Sequence, residues 1–193
     1  MYVKSEIRIL GFDDGPFNRN KDKKVLVFGV VFRGGIVLDG ALKTEVKVDG
    51  LDSTSKIAKL ISSSRHKQQL KIIMFDGITF GGFNIIDINK VYKDTRIPVV
   101  VINRKIPDFK KVKSALKNFD DFEKRWKLIE MAGKPKECKL DSGKNLFYQA
   151  VGIGDEVEEI ISLSSTRGDI PEPLRVAHLL ASAFVTGESH GRA

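Results

Sequence analysis

Apolar and polar positions alternate from Glu6 into the run Ile9-Leu10-Gly11-Phe12, which stops at Asp13-Asp14-Gly15-Pro16, a turn signal, so a strand is predicted with two acids at its end. Val25 to Phe32 is apolar and β-branched, and Arg33-Gly34-Gly35 supplies a turn. Ile36 to Val48 then alternates Val37, Leu38, Leu42, Val46 and Val48 with polar residues. The three segments predict an antiparallel meander. At Asp52-Ser53-Thr54 the period changes: this N-cap signal precedes Ile57, Leu60 and Ile61, spaced as one face of a helix.

Leu70 to Phe75 and Pro98 to Ile102 are continuous apolar runs of the kind that form parallel strands buried on both faces, and the first closes at Asp76-Gly77. Helical patterns cover Asn84 to Tyr92, just after Gly81-Gly82, then Asp108 to Leu116 and Phe119 to Met131. Gly133 to Lys144 is basic and glycine-containing, and reads as a loop. Asn145 to Val151 predicts a last strand, followed by helices over Asp155 to Leu163 and Glu172 to Val185. The order implies a mixed α/β sheet, a three-stranded antiparallel meander joined to parallel strands, with helices on its faces. The 193 residues suit a single domain spanning 1–193.

Composition narrows the class. No apolar run approaches the roughly 20 residues needed to span a bilayer, and Met1 to Glu6 lacks the apolar core of a signal peptide, so no membrane and a cytoplasmic location are expected. Cys138 is the one cysteine, which excludes an intramolecular disulfide and a cysteine cage for zinc. Lys and Arg number 33 against 25 Asp and Glu, a net charge of +8, with the basic residues concentrated at Arg19 to Lys24, Arg104 to Lys113 and Lys134 to Lys144. Such a surface suits a polyanion, and it also suits plain solvation.

The acids are more informative. In open sheets of this kind, ligands gather outside the carboxyl ends of the strands, where Asp13, Asp14 and Asp76 are expected. Asp155, in Gly152-Ile153-Gly154-Asp155 after the last strand, could face the same point or cap a helix. Carboxylates brought together repel unless protonated or neutralised, which is why such clusters hold Mg²⁺ or Mn²⁺. Two such ions roughly 4 Å apart would serve phosphodiester hydrolysis. Aspartate before glycine also makes turns, as Asp39-Gly40 and Asp49-Gly50 illustrate, so that pair alone does not mark a ligand. His66, His178 and His190 form no ligand pair at helical spacing, and phosphate-binding, nucleophile-elbow and dinucleotide motifs are absent.

Taken in order, several segments resemble endonuclease V. Gly11-Phe12-Asp13 is similar to that family's glycine-x-aspartate, and Ile72 to Gly77 to its second aspartate strand. Pro98 to Arg104 looks like the next strand with its basic ending, and Ile170-Pro171-Glu172-Pro173-Leu174-Arg175 resembles a proline-glutamate-proline segment near the family's C-terminus. The pieces span about Ile7 to Ala183, and the chain is identified as a member of the archaeal family of endonuclease V homologues. The resemblance implies a ribonuclease-H-like fold and a Mg²⁺-dependent acidic site with Asp13 and Asp76 as ligands.

This sequence also departs from that pattern. The family's catalytic glutamate falls at Val48 to Ser53, where Asp52, or secondarily Asp49, would substitute, and its glycine-histidine appears as Gly154-Asp155. The aromatic wedge is missing, which argues against prying a duplex open at a deaminated base. Gly81 and Gly82 would allow backbone approach to a nucleotide, and Arg104 and Lys105 would contact a scissile phosphate. Phe80 and Phe83 are base-stacking candidates that more often pack in a core, and Arg167 or Arg175, flanking the proline-containing turn, is a candidate phosphate contact to which Glu172 offers a structural salt bridge instead. The expectation is a metal-dependent nuclease acting through Asp13, Asp76, Asp155 and Asp52 on single-stranded or flexible nucleic acid. The alternative is a catalytically silent nucleic-acid-binding protein with the same fold.

Overall fold

The alternating segments form β1 (Arg8–Asp14), β2 (Lys24–Arg33) and β3 (Val37–Lys47), paired antiparallel as a meander. The computed structural model describes residues 3–189, so His190 lies outside it. The apolar runs become β4 (Ile72–Asp76) and β7 (Val99–Asn103), with α1 (Ser53–Ser63) leading into β4 and α2 (Ile88–Thr95) into β7. Between β4 and α2 lies a small hairpin, β5 (Thr79–Phe80) and β6 (Asn84–Ile85). The helix expected from Asn84 therefore starts only at Ile88, after Asp87, whose side chain accepts the Lys90 N–H and caps it.

The chain continues through α3 (Phe109–Leu116) and α4 (Phe122–Met131) into a second correction. Part of the expected loop from Gly133 to Lys144 is a short strand, β8 (Lys136–Lys139), paired antiparallel with β9 (Asn145–Val151). Its lysines disguise it, because only Cys138 of the four faces inward. Two helices close the described chain, α5 (Glu156–Ser164) and α6 (Glu172–Thr186).

The main sheet runs β3-β2-β1-β4-β7-β9-β8. β1, β4 and β7 are mutually parallel, while β9 lies antiparallel to β7. Both faces of the parallel centre are covered. Leu10, Phe12, Phe75 and Val101 pack with Ile57 and Ile61 of α1 and Val91 of α2. Ile9, Met74 and Ile102 pack with Ile160 and Ile161 of α5 and Leu174 of α6. Ala177 of α6 reaches further across the sheet, to Val30 and Phe32. The two outermost strands, β3 and β8, present Lys43, Glu45 and Lys47 on one side and Lys136, Glu137 and Lys139 on the other, all exposed.

Arg125 of α4 fixes the loops at the top of this framework. Buried to 4% exposure, it donates to the carbonyls of Asp49, Gly50 and Phe83 and pairs with Asp121, joining α4 to the β3–α1 loop and the β5–β6 hairpin.

α6 approaches β1 at Gly11, where an added Cβ would stand 2.6 Å from Pro173 carbon atoms and 2.7 Å from its carbonyl oxygen. Backbone cannot yield as a side chain does, so Gly11→Ala should lift the start of α6 and destabilise the protein by about 1–3 kcal/mol. Urea denaturation of the two proteins measures this, and an unchanged midpoint would show that the helix has room to spare.

Candidate active site

Strand register builds the site. Phe12 of β1 lies opposite Phe75 of β4, and the next residue of each strand is an aspartate, so Asp13 and Asp76 come side by side at neighbouring carboxyl ends. Side-chain alternation continues the Ile9 and Met74 face through these two acids and turns Asp14 to the Phe12 face. The parallel pairing that sequence patterns suggested is thus what brings together residues 63 apart in the chain.

Asp13 is 6% exposed. One carboxylate oxygen accepts the Asp14 N–H at 2.8 Å, and the other lies 2.8 Å from Nδ1 of His178 on α6. Asp14 accepts the Gly81 N–H at 2.6 Å, which ties β1 to the β5–β6 hairpin. Asp76 has Arg104 at 3.7 Å, a long ion pair. A cleft of about 1010 Å³ opens over these groups, lined also by Pro16, Phe17, Ile106 and Pro107 and by Ser182 and Thr186 of α6. Asn103, at the end of β7, lines it too, and its side-chain amide nitrogen is buried without a hydrogen-bond partner among the described residues. Ile106, 61% exposed, is a large apolar side chain left at the rim.

Burial pushes the Asp14 carboxyl up to about 7; the Gly81 N–H opposes this, and repulsion from Asp13 and Asp76 adds to it. Burial raises Asp76 as well, followed by repulsion from Asp13, while Arg104 and His178 act against the rise. Buried oxygens with surplus negative charge fit a hard divalent cation, which is commonly held by one or two carboxylates together with water and substrate phosphate. Among the described residues no three His, Cys, Asp or Glu side chains stand ready as a group for a metal. The pair Asp13 and Asp76 is therefore what would bear an ion.

The other candidates lie elsewhere. Because β9 is antiparallel to β7, Val151 at its carboxyl end pairs with Val99 at the start of β7, and Asp155 sits at the opposite end of the sheet from Asp13 and Asp76. It lines a separate small cavity with Gly133 and Lys134. Asp52 is on the correct side, but its carboxylate accepts the Lys47 N–H and an Asn84 side-chain N–H and pairs with Lys56; these contacts hold it below the ordinary range despite its burial. Asp49 is similarly engaged by Arg19 and the Phe83 N–H. The approach that Gly81 and Gly82 permit is taken by the chain itself, with Val25 close to one and Asp49 to the other. Phe80 is core and Phe83 packs edge-on to Phe119. Arg104 and Lys105 do line the cleft, and Arg175 forks onto Glu172 as expected.

His178 is the residue that sequence reasoning missed. Its signal was its place on a helix face otherwise made of Leu174, Ala177 and Ala181, where a polar ring must have a partner.

A carboxyl whose folded pKa is raised binds more protons in the native state than in the unfolded chain. Its contribution to stability is complete below the ordinary value of 3.8 and is lost as pH climbs through about 7 for Asp14. Asp14→Asn and Asp76→Asn should therefore melt above wild type by about 1 kcal/mol, a few degrees, near pH 8 in chelator. The advantage should shrink as pH falls toward about 5 and vanish only below the ordinary value of 3.8. Equal differences at both pH values, by scanning fluorimetry, would show that these acids are not strained.

The chain as a whole is similar to several known proteins. A family model described as endonuclease dU matches residues 5–185. The UPF0215 protein of Methanosarcina mazei is 52% identical over 196 residues, covering 100% of this chain and 97% of its own. That of Pyrococcus furiosus is 45% identical over 190 residues, covering 97% and 96%. A crystal structure of an Archaeoglobus fulgidus protein of unknown function superposes with a TM-score of 0.84 at 40% identity, over 94% of this chain and 99% of that one. Endonuclease V of Ciona intestinalis, crystallised with a 24mer DNA containing an inosine followed by a ribo-adenosine, gives 0.60 at 14% identity, over 94% and 86%. This distant likeness establishes a ribonuclease-H-like fold. The chain belongs to the endonuclease dU family, with relatives across the archaea.

Proposed function

We propose that the protein is a Mg²⁺- or Mn²⁺-dependent endonuclease that hydrolyses phosphodiester bonds of nucleic acid, with Asp13 and Asp76 as its metal-bearing residues. The observation that carries this reading is the placement of those two acids side by side at adjacent parallel strand ends, in a cleft with an orphaned amide donor and a cation. The description of the family as endonuclease dU supports it and names a deaminated nucleotide as the target.

When bound, such an ion supplies Lewis-acid activation of phosphate and water. The chain's own groups do the remainder. Arg104, beside Asp76, offsets the charge of an incoming phosphate, and the Asn103 amide nitrogen donates to one of its non-bridging oxygens. Asp13 holds His178 through Nδ1, which sets the ring's orientation for passing a proton to the leaving oxygen. Ile106 at the rim is an apolar side chain of the type that separates stacked bases, and Phe17 lines the same cleft. With Ile106 as its exposed wedge residue, the site favours single strands and flexible junctions over intact duplex.

A labelled oligonucleotide carrying one deoxyuridine should be cut by wild type with Mn²⁺ and not in chelator. Asp13→Asn and Asp76→Asn should remove cutting, and Mn²⁺ should raise the melting temperature of wild type but of neither variant. His178→Ala should lower kcat by about 100-fold or more. Ile106→Ala should impair duplex cleavage more than single-strand cleavage. Tight binding without cleavage under any divalent ion would instead favour the silent binding protein, a reading that the lack of a three-residue ligand group among the described residues supports.

A further inference from the structure

The antiparallel placement of β9 that removes Asp155 from the cleft brings something else to it. Asn103 of β7 pairs with Phe147 of β9, so the amino end of β9, and with it Lys144 and Asn145, stands beside the carboxyl end of β7. There a groove of about 510 Å³ is lined by Arg104, Lys105, Lys144, Arg167 and Arg175 together with Asp169. Arg104 and Lys105 also line the acidic cleft, so the two cavities share a wall.

The charges do not cancel. Asp169 is taken by Lys144, and the buried Glu172 by Arg175 through Nε and Nη2. Lys105 and Arg167 make no ion pair among the described residues, and Arg104 stands at a long 3.7 Å from Asp76. Surplus cations crowded in a concave site are costly to the fold alone and are relieved by an anion. Arginine forks suit phosphate oxygens in particular.

We propose that this groove binds a second backbone phosphate of the same nucleic-acid strand, one that is not cut, and so sets which phosphodiester lies over Asp13 and Asp76. The proposal rests on the nuclease reading of the acidic cleft. It makes the substrate a strand that runs from the cleft past Arg104 and Lys105 toward the α5–α6 loop, with the cut at a fixed offset from the held phosphate.

Fluorescence anisotropy with a single-stranded deoxyuridine oligonucleotide of about ten nucleotides tests this, in chelator and over a range of salt. The double variant Lys144→Ala/Arg167→Ala should bind about tenfold more weakly, with a log-log salt slope smaller in magnitude by about 1 to 2. Lys59→Ala/Lys93→Ala removes the same formal charge from α1 and α2, on the far face of the sheet, and should match wild type. In Mn²⁺, the groove variant should also spread its cuts over neighbouring phosphodiesters where wild type makes one. Equal losses in the two double variants would reduce the groove to general charge and overturn the proposal. Unchanged binding and an unchanged cut position in the groove variant would overturn it as well. Failure of wild type itself to bind would overturn the nuclease reading and the groove with it, whereas binding lost only in the groove variant leaves both standing.

Discussion

The last helix can lie where it does because residue 11 has no side chain. Pro173 fills the space that a Cβ on Gly11 would need, and from that contact α6 runs along β1 toward the cleft. Glu172 is buried at the foot of the helix, with both oxygens engaged by Arg175, so the first turn is held by charge as well as by shape. His178 follows less than two turns later and meets Asp13. A single absent methyl group therefore lets a residue near the end of the chain complete a site begun near its start.

The same contact explains why the site needs a whole sheet. Two like charges at neighbouring strand ends are unfavourable, and only a framework fixed on both faces can hold them together. Here the framework is the apolar packing of α1 and α2 below and α5 and α6 above. The cost is concentrated on Asp14 and Asp76, whose carboxyls burial and repulsion hold toward the protonated state. This strain is what a cation would relieve, and it links the protein's acidity to its proposed chemistry.

The central strands and their acids were legible because burial on both faces leaves an unmistakable signature, an apolar run that ends abruptly in Asp-Gly or Asp-Asp. The direction of β9 left no such mark. Asn145 to Val151 reads the same whether paired parallel or antiparallel, and the difference decides whether Asp155 or Lys144 joins the cleft. β8 was hidden by lysines that an exposed edge strand tolerates. Asp52 was placed on the correct end of the sheet, but its neighbours Lys47, Asn84 and Lys56, which occupy it, are tertiary facts. His178 was passed over because a lone helical histidine carries no motif; only its apolar companions distinguish it.

The charged borders of the sheet have a consequence for how the molecule meets others. An open β-sheet edge is a template on which foreign strands can grow, and both edges here face outward with backbone groups available for pairing. Along β3 and β8 the outward lysines and glutamates would have to be desolvated, or set against like charges, by any strand or second copy added in register. Those charges oppose self-templated aggregation along β8 and the later half of β3, while Val37 and Leu38 leave the start of β3 apolar and exposed.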